Sequence, residues 1–216
     1  MGEILTVNQK NPSDEVVCRA ASVLRDGGVA VVPTDSVYGI CCAAVHGNPG
    51  HMRIFDIKRR DRAQTLPWFV ADIDGLRVYG REVPDWALRL AQAQWPGALT
   101  LVVRASEAVP VEYAQPMPDG PTIALRVPNS ELCRALVRSL GCPLAQTSAN
   151  THGAPAATTG HGVEPAIVAA ADLTLDGGAA PVGVASTIVD ATGSRPRVLR
   201  SGALTEADVL LACGLA

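Results

Sequence analysis

Four polar segments stand at the ends of apolar runs in this chain: PTDSVYG (33–39), KRR (58–60), TSAN (147–150) and ASTIVD (185–190). Two lone arginines sit similarly, Arg126 in IALRVP and Arg200 in RVLRSG. Each has an ordinary explanation when taken singly. Pro, Asp, Ser and Gly favour turns, basic residues suit a helix C-terminus, SAN can cap a helix, and a lone arginine can pair with a surface carboxylate. Together they make another pattern. Lys58, Arg60, Arg126 and Arg200 supply cations, while Ser36, Ser148 and Ser186 supply hydroxyls. Arg126 and Arg200, which follow apolar strands, are expected at sheet edges, where α/β sheets bind ligands. Arginine forks grip phosphate in bidentate fashion and lysine acts as a point charge. The set therefore suits a polyanion such as a triphosphate.

The common ready-made phosphate motifs do not occur. There is no G-x-x-x-x-G-K-[ST], no G-x-G-x-x-G opening a helix after a strand, and no G-x-S-x-G elbow. A phosphate must then be held by side chains gathered from distant segments. His46, His51, His152 and His161 show no metal-ligand spacing with cysteine or a carboxylate, so no protein-bound structural metal is expected. The six cysteines form no C-x-x-C pair and mostly lie among apolar neighbours, as suits a reducing cytoplasm. A net charge of −3 does not suit a protein built mainly to hold nucleic acid. No run reaches the ~18 apolar residues of a membrane span, and the N-terminus lacks the pattern of a signal peptide.

The elements that must position these groups alternate between helix and strand. Ser13 caps an expected helix ended by Gly27 and Gly28, and Val29 to Val32 and Ile40 to Val45 read as buried strands. Asn48 and Pro49 open a helix that ends at KRR. Further strands are expected at 67–73, 98–103, 121–127 and 143–147, and further helices at 85–94, 130–140 and 163–171. Short strands at 173–175, 186–189 and 197–199 precede a last helix opened by Thr205 and Asp208 and closed by Gly214. The chain of 216 residues thus reads as one α/β domain: a twisted mixed sheet flanked by helices, mixed because some strand connections are too short for helical crossovers. The expected division is an N-terminal extension (1–12), the domain (13–205) and a C-terminal helix and tail (206–216).

PTDSVYGI, IFDIKRR, WPGALTLV, IALRVP, TSAN, ASTIVD and VLRSGAL follow one another in this order. With that series the chain resembles the YrdC-like family of L-threonylcarbamoyladenylate synthases, in its single-domain form, from about Asp14 to Thr205. The resemblance implies the YrdC-like fold and a nucleotidyltransferase that converts L-threonine, bicarbonate (or CO2) and ATP, with Mg2+, into threonylcarbamoyl-AMP and pyrophosphate. It implies a place in tRNA processing, with a tRNA threonylcarbamoyl transferase complex taking the product downstream, and weak binding of tRNA or double-stranded RNA. Carried over by position, Lys58, Arg60, Thr122, Ser148, Asn150 and Arg200 are nucleotide-side residues, with Lys58 and Arg60 in the catalytic role. Thr34, Ser36, Tyr38, Arg126 and Ser186 surround threonine. The chain departs from the family pattern at Ser36, where Thr is usual, at Arg59, where Gly is frequent, and at Ala71, where a histidine is common. Two other readings keep the fold: a non-catalytic RNA-binding protein, and a carbamoyl-adenylate-forming relative with a different acceptor.

Overall fold

The computed structural model describes residues 2–215; Met1 and Ala216, the outermost residues of the expected extension and tail, lie outside the described residues. In chain order the elements are β1 (Glu3–Thr6), α1 (Asp14–Arg25), β2 (Ala30–Val32), β3 (Gly39–Ala43), α2 (Pro49–Lys58), β4 (Trp68–Phe69) and α3 (Asp74–Tyr79). Then come β5 (Gly80–Arg81), α4 (Asp85–Gln94), β6 (Leu99–Ala105), β7 (Thr122–Arg126), α5 (Glu131–Leu140) and β8 (Leu144–Ser148). The chain closes with α6 (Pro165–Ala170), β9 (Leu173–Asp176), β10 (Thr187–Asp190), β11 (Arg197–Arg200) and α7 (Glu206–Cys213).

The caps that mark helix starts in the sequence do so in the structure. The Ser13, Asn48 and Ser130 side chains accept from the backbone N–H groups of Val16, Gly50 and Cys133. Thr205 and Asp208 form a reciprocal capping box. The strands join one mixed sheet in the order β1-β9-β2-β3-β8-β4-β7-β6-β10-β11, with β5 beside β6. Pairs such as β2–β3 and β6–β7 are antiparallel, whereas β2–β9 and β6–β10 are parallel. One face is covered by α1 and α5, whose Val17, Ala20, Leu24, Leu132 and Leu136 pack on Ala30, Val32 and Cys41. The other is covered by α2, α4 and α7 through Ile54, Phe55, Leu90 and Val209 against Val31, Ile40 and Leu101. Burial on both sides is why β2 and β3 are apolar at every position rather than alternating.

Two segments differ from the expectation. The strand expected over 67–73 is paired only at Trp68 and Phe69. Asp72 then turns the chain, its carboxylate accepting from the N–H of Asp74, and the short helix α3 follows. The N-terminal segment adds β1 to the sheet, parallel to β9, and buries Val7 in the core. Its four residues carry too little pattern to announce a strand; the partner β9, about 170 residues away, supplies the ladder.

Candidate active site

Pro33 ends β2, and the turn after it is built by Thr34. The Thr34 hydroxyl donates to the carbonyl of Val37 (2.7 Å) and accepts from the N–H groups of Ser36 (3.1 Å) and Val37 (3.3 Å). Its one proton goes to Val37 and its two lone pairs to those N–H groups, so the 3.1 Å approach of the Ser36 hydroxyl adds no third full hydrogen bond to it. Behind this turn lies Arg126, the last residue of β7. Its Nε donates to the Gly97 carbonyl (2.9 Å), its Nη1 to Ser36 Oγ (3.0 Å) and its Nη2 to Asp35 Oδ1 (2.7 Å). The guanidinium also stands 5.4 Å from the Phe69 ring centre. Arg126 and Asp35 are each 3% exposed, so this is a desolvated ion pair. A guanidinium has five N–H groups; these three bonds leave two for a ligand carboxylate. Asp35 is a site residue that the sequence reading passed over. The signal was there, since a buried arginine requires a partner.

A second cation closes α2. Lys58 is buried and donates Nζ to the backbone carbonyls of Ser148 and Asn150, across to the SAN segment at the end of β8. Burial, reinforced by the neighbouring Arg60 and partly offset by Glu164, lowers its pKa to about 8. Arg59 follows in the left-handed conformation at φ 51°, which redirects the chain so that Arg60 turns back over the sheet. Arg60 then donates to Thr147 Oγ1 (3.0 Å), the Thr65 carbonyl (3.1 Å) and Gln64 Oε1 (2.7 Å). Asn150 holds the loop after it through the carbonyls of Thr151 and Ala154. Glu164 does so from outside, accepting from Thr151 N–H and hydroxyl. Those bonds, ahead of the nearby Lys58, keep its pKa below the usual carboxylate range.

The fourth cation, Arg200, ends the edge strand β11. Its Nη2 donates to the Ser186 carbonyl (2.8 Å) and to Ser186 Oγ (3.1 Å). Thr187 staples the chain after Arg200 in place: its hydroxyl accepts from Gly202 and Leu204 N–H and donates to the Leu204 carbonyl. Gly202 is required here, because a Cβ would come within 2.3 Å of the Ala185 carbonyl oxygen. Burial and the nearby Arg126 both lower the pKa of Arg200.

These strand ends enclose a cleft of about 350 Å³. It brings together Thr34, Ser36, Arg60, Arg126, Ser148, Ser186 and Arg200. Among the described residues, no carboxylate or imidazole lines it. The other sequence-predicted residues lie elsewhere. Lys58 and Asn150 sit behind the cleft wall, shaping the SAN loop from below. Tyr38 faces away, its hydroxyl donating to the Gly178 carbonyl (2.7 Å), accepting from Gly177 N–H (3.1 Å) and lying 3.2 Å from Asp176 Oδ1. Burial pushes that phenol up to about 12. Thr122 lines a neighbouring cavity of about 490 Å³ that shares Thr65, Val102, Ala124 and Leu199 with the cleft. Arg126 is the last residue of its strand, at the strand-end edge of the sheet where the sequence placed it, and the strand order puts β7 in the interior between β4 and β6. Thr100, on β6, lines the cleft and was also missed, because inside WPGALTLV it reads as one polar position in an apolar strand.

Over residues 22–202 the sequence matches the Sua5/YciO/YrdC family, described as telomere recombination. The chain belongs to this family. The threonylcarbamoyl-AMP synthase of Pyrococcus abyssi is 36% identical over 185 residues, covering 86% of this chain and 53% of that protein. The chain thus spans about half the length of this curated relative. The P. abyssi Sua5 structure complexed with L-threonine superposes with a TM-score of 0.90 at 33% identity, over 98% of this chain and 61% of that one. Escherichia coli YciO, which matches over 94% of this chain and 96% of its own, has a TM-score of 0.83 at 27% identity. The fold is therefore the single α/β domain with a mixed sheet that the sequence suggested.

Proposed function

We propose that this domain makes threonylcarbamoyl-AMP from L-threonine, bicarbonate (or CO2) and Mg·ATP, releasing pyrophosphate. The observation that carries the reading is the cleft itself: one desolvated arginine fork with two N–H groups to spare, and two further arginines across the same cavity. Arg126 suits the threonine carboxylate, and Arg60 and Arg200 suit the phosphates. The neutral amine attacks the carbon of CO2, forming the C–N bond and losing a proton to give a carbamate. A carbamate oxygen then attacks the α-phosphorus, and the bond to the β-phosphate bridging oxygen breaks. Pyrophosphate leaves with that electron pair.

Neither step needs a protein nucleophile; positioning and charge neutralisation carry the rate. Lys58 acts on this cleft by fixing the SAN carbonyls, which orients Ser148 at the wall. In this reading the magnesium ion comes with the nucleotide, bound by its phosphate oxygens. The six cysteines are all unpaired, which suits a reducing cytoplasm as the setting; in this reading a tRNA threonylcarbamoyl transferase complex takes the product in the next step. The test is pyrophosphate release measured with each amino acid in turn. The expected result is turnover only when threonine, bicarbonate, ATP and magnesium are all present. ATP binding without threonine-dependent pyrophosphate release rejects the reading.

A further inference from the structure

Two hydroxyl pairs line the cleft, Thr34 with Ser36 and Thr100 with Ser186. In the first, Thr34 donates to the Val37 carbonyl and its oxygen stands 3.1 Å from the Ser36 hydroxyl. In the second pair, Thr100 Oγ1 and Ser186 Oγ lie 2.9 Å apart, joined by the parallel register that sets Thr100 of β6 opposite Ile188 of β10. This pair has two protons and one contact, so one proton is left over. Both residues line the cleft, and both are more than nine-tenths buried. Among the described residues the Thr100 hydroxyl has no other hydrogen-bond partner.

The neighbour decides which proton is left. Arg200 Nη2 donates to Ser186 Oγ at 3.1 Å, and a guanidinium can only donate. Accepting from a cation polarises the Ser186 O–H and makes it the stronger donor of the two. When an anionic oxygen enters the cleft, the stronger donor turns to the stronger acceptor. Ser186 then gives its proton to the ligand, and Thr100 gives its own to Ser186. The lone pairs of Ser186 are filled by Arg200 and Thr100, which leaves its O–H a single direction, into the cleft.

We propose that Thr100 is a positioning residue for the proposed reaction: it donates to Ser186 and so aims the Ser186 hydroxyl at an anionic oxygen of the amino-acid-derived substrate. Thr100 does not itself touch the substrate. The proposal rests on the synthase reading for the identity of that substrate, and on hydrogen-bond accounting for the role.

The test is a double-mutant cycle of Thr100→Val and Ser186→Ala, read as the KM for threonine and the KM for ATP. Thr100→Val keeps the shape and removes the hydroxyl. The expected result is a rise of about tenfold in the threonine KM, with little change in the ATP KM, as for one hydrogen bond to a charged group. Thr100→Ser restores the wild-type value. In the Ser186→Ala background Thr100→Val has no further effect, because the residue acts only through Ser186. Additive losses, or equal losses in both KM values, overturn the proposal, since packing alone explains them. A wild-type threonine KM in Thr100→Val overturns it too. Should the wild-type protein release no pyrophosphate with threonine, the functional reading fails on its own, and the same cycle is then read on the binding affinity for L-threonine itself, measured by calorimetry. A loss that vanishes in the Ser186→Ala background keeps the role; indifference to Thr100→Val, or no threonine binding by the wild type, ends it.

Discussion

Arg126 and Arg200 face the same cleft and are built in opposite ways. Arg126 is 3% exposed, lies at the end of an interior strand, and has each of its three nitrogens committed to a protein acceptor, one of them the Asp35 carboxylate. Arg200 ends the edge strand, is exposed as a residue although its guanidinium is partly desolvated against Ser186, and among the described residues bonds only to Ser186. The first is a rigid, desolvated fork whose spare N–H directions are fixed before any ligand arrives. The second is a solvated cation held at one side. A rigid fork suits recognition of a small planar carboxylate, whereas solvated arginines suit a flexible polyphosphate whose charge must be drawn in and released.

The largest expected effect breaks the buried end. Arg126→Met leaves the Asp35 carboxylate buried without a partner, and urea unfolding is expected to show a loss of ~3–5 kcal/mol. Threonine-dependent pyrophosphate release disappears with it. A loss below ~1 kcal/mol would mean that Asp35 reaches water, and the contrast between the two arginines would collapse.

Next comes the cation beneath the SAN loop. Lys58→Met removes two charge-assisted bonds to carbonyls and is expected to cost ~2–3 kcal/mol in the same experiment, with a raised KM for ATP. Lys58 also predicts a pH dependence. Its folded pKa of about 8 lies below the ordinary 10.5. Between those values the unfolded chain keeps a proton that the folded chain has released, so this group's contribution to stability rises with pH across that window. ATP affinity runs the other way, weakening as pH rises through about 8, when the positive charge behind the loop is lost. A KM profile from pH 7 to 9.5 checks this, and Lys58→Arg flattens it.

Smaller again is the effect at the open end. Arg200→Gln leaves stability within ~0.5 kcal/mol, because the side chain is exposed, while the ATP KM rises about tenfold. A destabilisation as large as that of Arg126→Met would erase the distinction. The smallest effect sharpens the contrast from outside the cleft. Arg59 sits at φ 51° where glycine would be unstrained, so Arg59→Gly is expected to raise stability by up to ~1 kcal/mol, measured as a shift in the urea midpoint.

Much of this was legible in the chain. The caps at Ser13, Asn48, Ser130 and Thr205 act within three residues of themselves, so their neighbours alone define them. The helix Asp85–Gln94 was read to the residue for the same reason. The short strand β1 and the early end of β4 were not legible, because each depends on a ladder partner distant in sequence. At the site, residue types identified the cations but not their circumstances. Nothing within KRR says that Lys58 turns under the SAN loop while Arg60 turns into the cleft; the left-handed backbone at Arg59 separates them. Tyr38 lies in the most distinctive motif, yet its hydroxyl holds the Gly-rich loop after β9 rather than the cleft.

The sequence by itself determined the class of fold, the helix starts capped by Ser13, Asn48, Ser130 and Thr205, and the inventory of charge: four cations and a set of hydroxyls at the ends of apolar runs. These follow from local periodicity, capping and residue type, which act over a few residues. Only the tertiary structure decided which of those groups share a cavity, which are buried behind it, and where each hydroxyl sends its proton. Those are properties of pairs such as Asp35 with Arg126 and Thr100 with Ser186, which are 91 and 86 residues apart: the second pair meets because β6 lies beside β10, the first because the turn after β2 reaches the end of β7.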